Sequence, residues 1–429
     1  MAVTAVRAPS GAGTDFSSRA AAEAYVGGVC FKQGPPTLIG AELEWLTAQD
    51  EPSASGSRPG LTELADALGS HAPRSIAPES PALPLPGGSR VTIEPGGQVE
   101  LSSAPFGDPT ELCERLRADA RLLERLLRSR SIRIRSAAAD GDRLAERLLQ
   151  LPRYRAMERT FSGIGPFGKL MMCNTAATQV SVDAGADRAE VAARWTALYT
   201  IGPALVAAFA CSPDLHGAPV GTWASQRMRA WLRLDNARAR PPVRQWSDPI
   251  GDYARWVMDV PLLCVRRSEE TVDDWAAPPG ATFADWLCGA LDDEVGRRPD
   301  TEDLDYHLTT VFPPVRASGH LEVRYIDAQP GDGWTVPIHA LDALLSAPAV
   351  TAEATRIGAP VADEWLEAAR CGLADPEIRS TAVELLTLAA EHARTPDAAQ
   401  ELGAAVNRCR DGRMPTGEPA HHFDEEAGS

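Results

Sequence analysis

Three segments of this chain place charged or amide side chains at every second position, with aliphatic residues between them. They are Gly40-Ala41-Glu42-Leu43-Glu44-Trp45, Gln98-Val99-Glu100-Leu101-Ser102 and Leu321-Glu322-Val323-Arg324-Tyr325. Side chains two apart on a strand share a face. The pattern predicts strands over 38–47, 98–102 and 320–327. Glu42 with Glu44, Gln98 with Glu100, and Glu322 with Arg324 then share faces, and Leu43, Val99 and Val323 turn into a core. Pro95-Gly96-Gly97 is a strong turn signal and predicts a partner strand over 90–94. A further alternating run over 170–183 sets Gln179, Ser181 and Asp183 against Val180 and Val182.

Helical periodicity is clearest over 109–130, where Leu112, Leu116, Ala120, Leu123 and Leu127 fall on one face. Helices are also predicted over 20–30, 61–68, 191–211, 223–234, 334–345 and 363–410, the last a helical hairpin. Residues 49–58 and 72–88 read as loops, and 252–257 as short and mixed. Strands come in runs rather than alternating evenly with helices, which predicts an α+β fold with an antiparallel sheet. The polar stretches 1–15 and 412–429 are expected to be disordered tails around a single domain, 16–411, whose C-terminal part from about 334 is helical.

The chain has 429 residues, 44% of them hydrophobic, ample for one large core. Its net charge of −17 argues against nucleic acid as a partner, because phosphate contacts need a basic surface. The sequence holds no apolar run of membrane-spanning length, and its first residues lack a signal-peptide core, so the expected location is the cytoplasm. The 8 cysteines are scattered without a Cys-x-x-Cys pair, which disfavours zinc and redox roles. High Ala, Arg and Pro usage suggests a GC-rich bacterial genome.

Carboxylates gathered on one face repel. At roughly 7 Å and an effective dielectric of about 20, a pair costs about 2–3 kcal/mol. Hard divalent cations relieve that cost by taking carboxylate oxygens. Two readings follow: a magnesium site serving a nucleotide, or solvated strand faces. One pair alone favours the second, and three segments with embedded glycines favour the first. Gly163-Ile-Gly-Pro-Phe-Gly-Lys169 matches two phosphate-loop patterns. It is rejected because Leu170 stands where a P-loop needs Ser or Thr, a charged stretch precedes it, and an alternating strand is expected after it.

Glu94-Pro-Gly-Gly-Gln-Val-Glu-Leu-Ser102 resembles the glycine-rich acidic motif of plant-type glutamate–cysteine ligases. Met171-Met-Cys-Asn-Thr-Ala-Ala-Thr-Gln-Val-Ser-Val-Asp183 is similar to that family's central strand, and His307 to Arg316 with Leu321 to Arg324 to its late substrate segment. The order agrees from about 38 to 330, and with an actinobacterial-looking composition the chain most resembles the ergothioneine-pathway branch of that family. The resemblance implies a glutamine-synthetase-like fold, a bowl of curved antiparallel sheet flanked by helices. It implies that ATP phosphorylates the γ-carboxylate of L-glutamate and that the amine of L-cysteine attacks the acyl phosphate.

By the same resemblance the magnesium ligands, for two or three ions, are Glu42, Glu44, Glu94, Glu100, Gln179 and Glu322. Gln179 has an equal alternative as a hydrogen-bonded strand side chain. Arg324 and Glu322 are the candidate catalytic residues, with Arg324 a clamp on the transferring phosphate. Arg227, Arg238, Arg316, Arg324, Asp235 and Tyr154 are the substrate and nucleotide candidates. For Arg227, Asp235 and Arg238 the alternative is a surface helix with an Asp–Arg pair, and for Tyr154 a structural role. Cys173, placed on the central strand, and His307 are read as structural. The protein is expected to be a monomer, and Glu42→Ala and Glu322→Ala to spare the fold while abolishing turnover.

Overall fold

The computed structural model describes residues 16–50, 56–239, 248–267 and 275–416. The expected N-terminal tail, most of the expected C-terminal tail and half of the 49–58 loop lie outside them. Seven strands form the sheet: β1 Ile39–Gln49, β2 Arg90–Ile93, β3 Val99–Ser102, β4 Ile132–Arg135, β5 Ala177–Val182, β6 Val315–Ala317 and β7 Leu321–Asp327. The order is β2-β3-β1-β5-β7-β6, with β4 also paired to β1. Every pairing is antiparallel. The α+β class with an antiparallel sheet is therefore what the chain adopts.

The first eight helices are α1 Arg19–Cys30, α2 Leu61–Leu68, α3 Pro109–Arg128, α4 Pro152–Ser162, α5 Phe167–Asn174, α6 Arg188–Thr200, α7 Gly202–Phe209 and α8 Gln226–Leu234. The apolar face of the sheet carries Leu43, Val99, Leu101, Val180 and Val323, all buried. Each such side chain contributes about 1.5–3 kcal/mol by leaving water. Tyr199 and Tyr325 fasten helices to this layer, donating to the carbonyls of Val315 at 3.0 Å and Leu198 at 3.1 Å. One hydrophobic cluster runs from Ala22 to Cys409, so the C-terminal helices share the core of the sheet. Among the described residues no helix is long and apolar enough to cross a membrane.

Three expectations change. The stretch 170–183 is not one strand: it begins inside α5 and becomes β5 only at Ala177. Leu170, Met171, Met172 and Cys173 are all buried, and an apolar run of that length does not reveal its period. Cys173 therefore lies on a helix and not on the central strand, where alternation would have set it on the face of Gln179. The glycine-rich segment before it joins two helices, α4 and α5, so the phosphate-loop rejection stands on different grounds. Lys169 pairs with Glu158 at 2.9 Å. Second, the expected helix over 191–211 is two helices, broken where Pro203 can donate no backbone hydrogen bond. A Cβ on Gly202 would also collide with the Trp365 ring. Third, 252–257 sits within a helix, Pro249–Asp259.

Candidate active site

Strand register assembles the polar face. Glu42 stands opposite Gln179 on β5 and Ser102 on β3, and Glu44 opposite Glu100. Glu322 stands opposite Ser181 on β5 and Arg316 on β6. Directly opposed residues share a face. Five strands thus bring together Glu42, Glu44, Glu100, Gln179, Glu322, Arg324 and Arg316. Glu94 follows β2 at the turn and lines a small cavity with Glu44.

The turn itself needs its glycines. Gly97 has φ of +85°. A Cβ on Gly96 would collide with the Cys173 carbonyl oxygen and lie 2.5 Å from its Cα. Gln98 completes the seam: its amide donates to the carbonyls of Met172 at 3.3 Å and Thr175 at 2.9 Å. The acidic turn is thereby fixed against the end of α5.

Pairing of β5 with β7 shifts between Thr178 and Val180. One extra residue on β7 changes the parity beyond it. Asp327, opposite Ala177, joins the polar face although simple alternation from Glu322 assigns it to the core. Asp327 is buried and accepts from the Ser212 hydroxyl at 2.7 Å, the Ser225 hydroxyl at 2.8 Å and the Cys211 amide at 3.0 Å. Arg227 lies 3.8 Å from it and donates to the Arg324 carbonyl at 2.7 Å. Arg227 and Arg324 both lie over the Trp231 ring, at 5.7 and 5.3 Å. Asp327 is the residue that sequence reasoning missed, while Trp231 falls in the family-like segment with Arg227, Asp235 and Arg238 but is given no role there. A bulge leaves no trace in alternation, whereas Trp231 sits four residues after Arg227 and so on its helical face.

Charge on this face is unevenly compensated. Glu322 is held by Arg316, with contacts of 2.8, 3.0 and 3.1 Å, and by Arg324. Glu44 accepts from the Ala177 amide and the Gln179 side chain, both at 2.9 Å, and Glu100 from Thr92 at 2.6 Å and Ser102 at 3.1 Å. Glu42 and Glu44 keep part of their surface open to the cleft, yet both lie deep in the protein. Burial, with Glu100 adding repulsion, pushes the Glu42 carboxyl up to about 7 and raises that of Glu44. Burial, helped by Arg316, holds the Arg324 guanidinium well below its ordinary value.

Among the described residues no three His, Cys, Asp or Glu side chains already converge as a metal cluster. The donor set nevertheless suits a hard cation. It is made of oxygens, burial holds back the ionisation of Glu42 and Glu44, and the Gln179 carbonyl oxygen is buried without a hydrogen-bond partner. Glu322 differs from the other candidates, since both its oxygens are taken by arginines.

Arg238 and Asp235 are not brought to this face. Arg238 donates to Asp235 at 2.6 Å, Thr310 at 3.0 Å and Pro261 at 2.8 Å, so each of its nitrogens serves the fold. Tyr154 lines the small cavity beside Glu44 and Glu94. His307 donates to the Val257 carbonyl at 2.9 Å, stacks on Phe283, and is pushed down to about 4 by burial. Burial pushes the Cys173 thiol up to about 12.

The model of glutamate–cysteine ligase family 2 matches residues 38–418. The chain belongs to that family. Within it, the chain is 37% identical to the glutamate–cysteine ligase EgtA of Mycolicibacterium smegmatis over 383 residues, 88% of this chain and 86% of the relative. It is 35% identical to EgtA of Mycobacterium tuberculosis over 402 residues, 92% and 88% of the two chains. The chloroplastic glutamate–cysteine ligase of Medicago truncatula is 29% identical over 248 residues, 57% of this chain and 48% of the plant protein. A glutamate–cysteine ligase from Francisella tularensis, solved in complex with AMP, superposes with a TM-score of 0.47 at 11% identity, covering 89% and 83% of the chains.

Proposed function

We propose that this member of the glutamate–cysteine ligase family joins the γ-carboxylate of L-glutamate to the amine of L-cysteine at the expense of ATP, as the first step of ergothioneine biosynthesis. The observation that carries the reading is the polar face built by five strands, with arginines behind it, in a chain that aligns along 86% of a mycobacterial glutamate–cysteine ligase. In the first step a γ-carboxylate oxygen bonds to the γ-phosphorus of ATP and the bond to the ADP oxygen breaks. In the second the acceptor nitrogen bonds to the acyl carbon, the bond to phosphate breaks, and the amine proton leaves. The products are γ-glutamylcysteine, ADP and phosphate.

Such chemistry needs positioning and charge neutralisation rather than a protein nucleophile. Glu42, Glu44, Glu94, Glu100 and Gln179 would hold magnesium, two or three ions, which supplies neutralisation at phosphate oxygens. Glu322 acts by fixing Arg316 and Arg324. The Nε of Arg324, buried without a partner, supports its role as a phosphate clamp. Arg227 positions Arg324 through its carbonyl, and Arg238 with Asp235 is left to the fold. Tyr154 stays a substrate candidate through the cavity it lines with Glu44 and Glu94. The protein works as a cytoplasmic monomer with one catalytic unit over 16–411, which light scattering tests.

The experiment is ADP release from Mg-ATP and L-glutamate, with and without L-cysteine, with mass analysis of the product. Cysteine-dependent release and a γ-glutamylcysteine mass are expected. Release indifferent to cysteine would point to another amine, and no turnover with any amine would refute the reading. Magnesium is also expected to raise the melting temperature of the wild type at pH 8, and much less that of Glu42→Gln.

A further inference from the structure

The cavity beside Glu44 and Glu94 has room of about 30 Å³ for water-sized groups. One water needs about 10–15 Å³ by that measure, so two heavy atoms fit. A purine or a glutamate side chain does not. Three methionines, Met157 from α4 and Met171 and Met172 from α5, form much of its wall, and Trp231 and Tyr154 close it.

Two of the residues that line it carry a donor without a partner. Arg153 spends its terminal nitrogens on Thr309, at 2.7 and 2.8 Å, and its Nε has no acceptor. The indole nitrogen of Trp231 has none either. Both side chains are only 8% exposed. A buried donor without an acceptor is costly, so two on one small cavity mark a place for a ligand atom that accepts. The thioether walls are soft and polarizable and favour sulfur over a strongly hydrated hydroxyl.

We infer that this cavity receives the side chain of the amine acceptor, a methylene and a thiol, and that Met157, Met171 and Met172 set its size limit. The inference rests on the ligase reading and adds the residues that choose the amine. The thiol sulfur accepts from the free donors while its S–H points towards Glu44 or Glu94. This compartment is absent from the sequence pattern because α5 reads there as a strand.

A wild-type acceptor series tests it without any substitution. By ADP release, kcat/KM should rise from glycine through alanine and 2-aminobutyrate, whose methyl leaves the free donors unmet, to cysteine, then fall at homocysteine by about tenfold or more. Met157→Ala and Met172→Ala should narrow the cysteine-to-homocysteine ratio about tenfold, whereas Met172→Phe should lose cysteine while retaining glycine. Melting curves confirm that each variant is folded, and the wild-type series stands whether or not the variants fold. A flat series, or an unchanged ratio in folded emptied and filled variants, overturns the inference. A wild type that ligates no amine at all overturns the ligase reading instead.

Discussion

Removing Glu322 and removing Glu42 should both stop turnover but move stability in opposite directions. Glu322 lies between two guanidinium groups, with Arg316 nitrogens at 2.8–3.1 Å. At 3 Å and an effective dielectric of about 20, each arginine contributes roughly 5 kcal/mol of gross attraction. Desolvation offsets much of this, but truncating one member leaves buried charge uncompensated, at about 3–5 kcal/mol. Glu322→Ala should therefore lose about that much, which corrects the expectation that the fold is spared. Glu42 has no such partner. Its pKa is raised from 4.5 to about 7, so its ionisation weakens the fold increasingly as pH rises through that window. Glu42→Ala removes a cost on the order of 1–3 kcal/mol at pH 8, less the packing it loses. Urea midpoints at pH 8 without added divalent ions, with turnover measured alongside, make the comparison. If the two variants lose stability equally, or if Glu322→Ala unfolds at the wild-type midpoint, the account of charge on this face is wrong.

Asp327→Asn removes the nearest counter-charge of the buried Arg227. A stability loss of about 3–5 kcal/mol and a fall in kcat exceeding that in substrate KM are expected, and unchanged kcat would remove Asp327 from the positioning chain. Gly96→Ala forces the turn away from Cys173, and at least about 1–3 kcal/mol of stability should go together with most of the activity, read by melting and ADP release. Full activity would mean the seam is dispensable. His307 is held at about 4 against an ordinary 6.5, so its neutral form stabilises the fold fully above 6.5 and that contribution fades as pH falls to about 4. The loss is about 3 kcal/mol at most, and His307→Gln should flatten the slope of urea midpoint against pH between 4.5 and 6.5. An identical slope in the variant would assign the dependence to other groups.

The period-two runs around Glu42, Glu100 and Glu322 depend only on local chemistry, and each became a strand with its aliphatic residues buried. Turn residues at 95–97 and the repeat of α3 were readable for the same reason. Where the chain is apolar on every side, as at Leu170–Cys173, local pattern carries no period, and the strand it suggests is a helix in the fold. Proline decided the break at 201–203 against an otherwise continuous apolar run.

By itself, the sequence determined β1, β2, β3 and β7, the carboxylates they carry and the arginines that accompany them, because alternation and residue type are local properties; the short strands β4 and β6 gave no such signal. It held the family motifs in order. Only tertiary structure decided who meets whom. Register set Arg316 on Glu322, a single bulge turned Asp327 to the polar face, and the meeting of α4, α5 and α8 closed three methionines and a tryptophan around a space for two heavy atoms. The β5–β7 pairing joins residues more than a hundred positions apart, and even Arg316 on Glu322, six positions apart, needs a hairpin register that alternation alone does not fix.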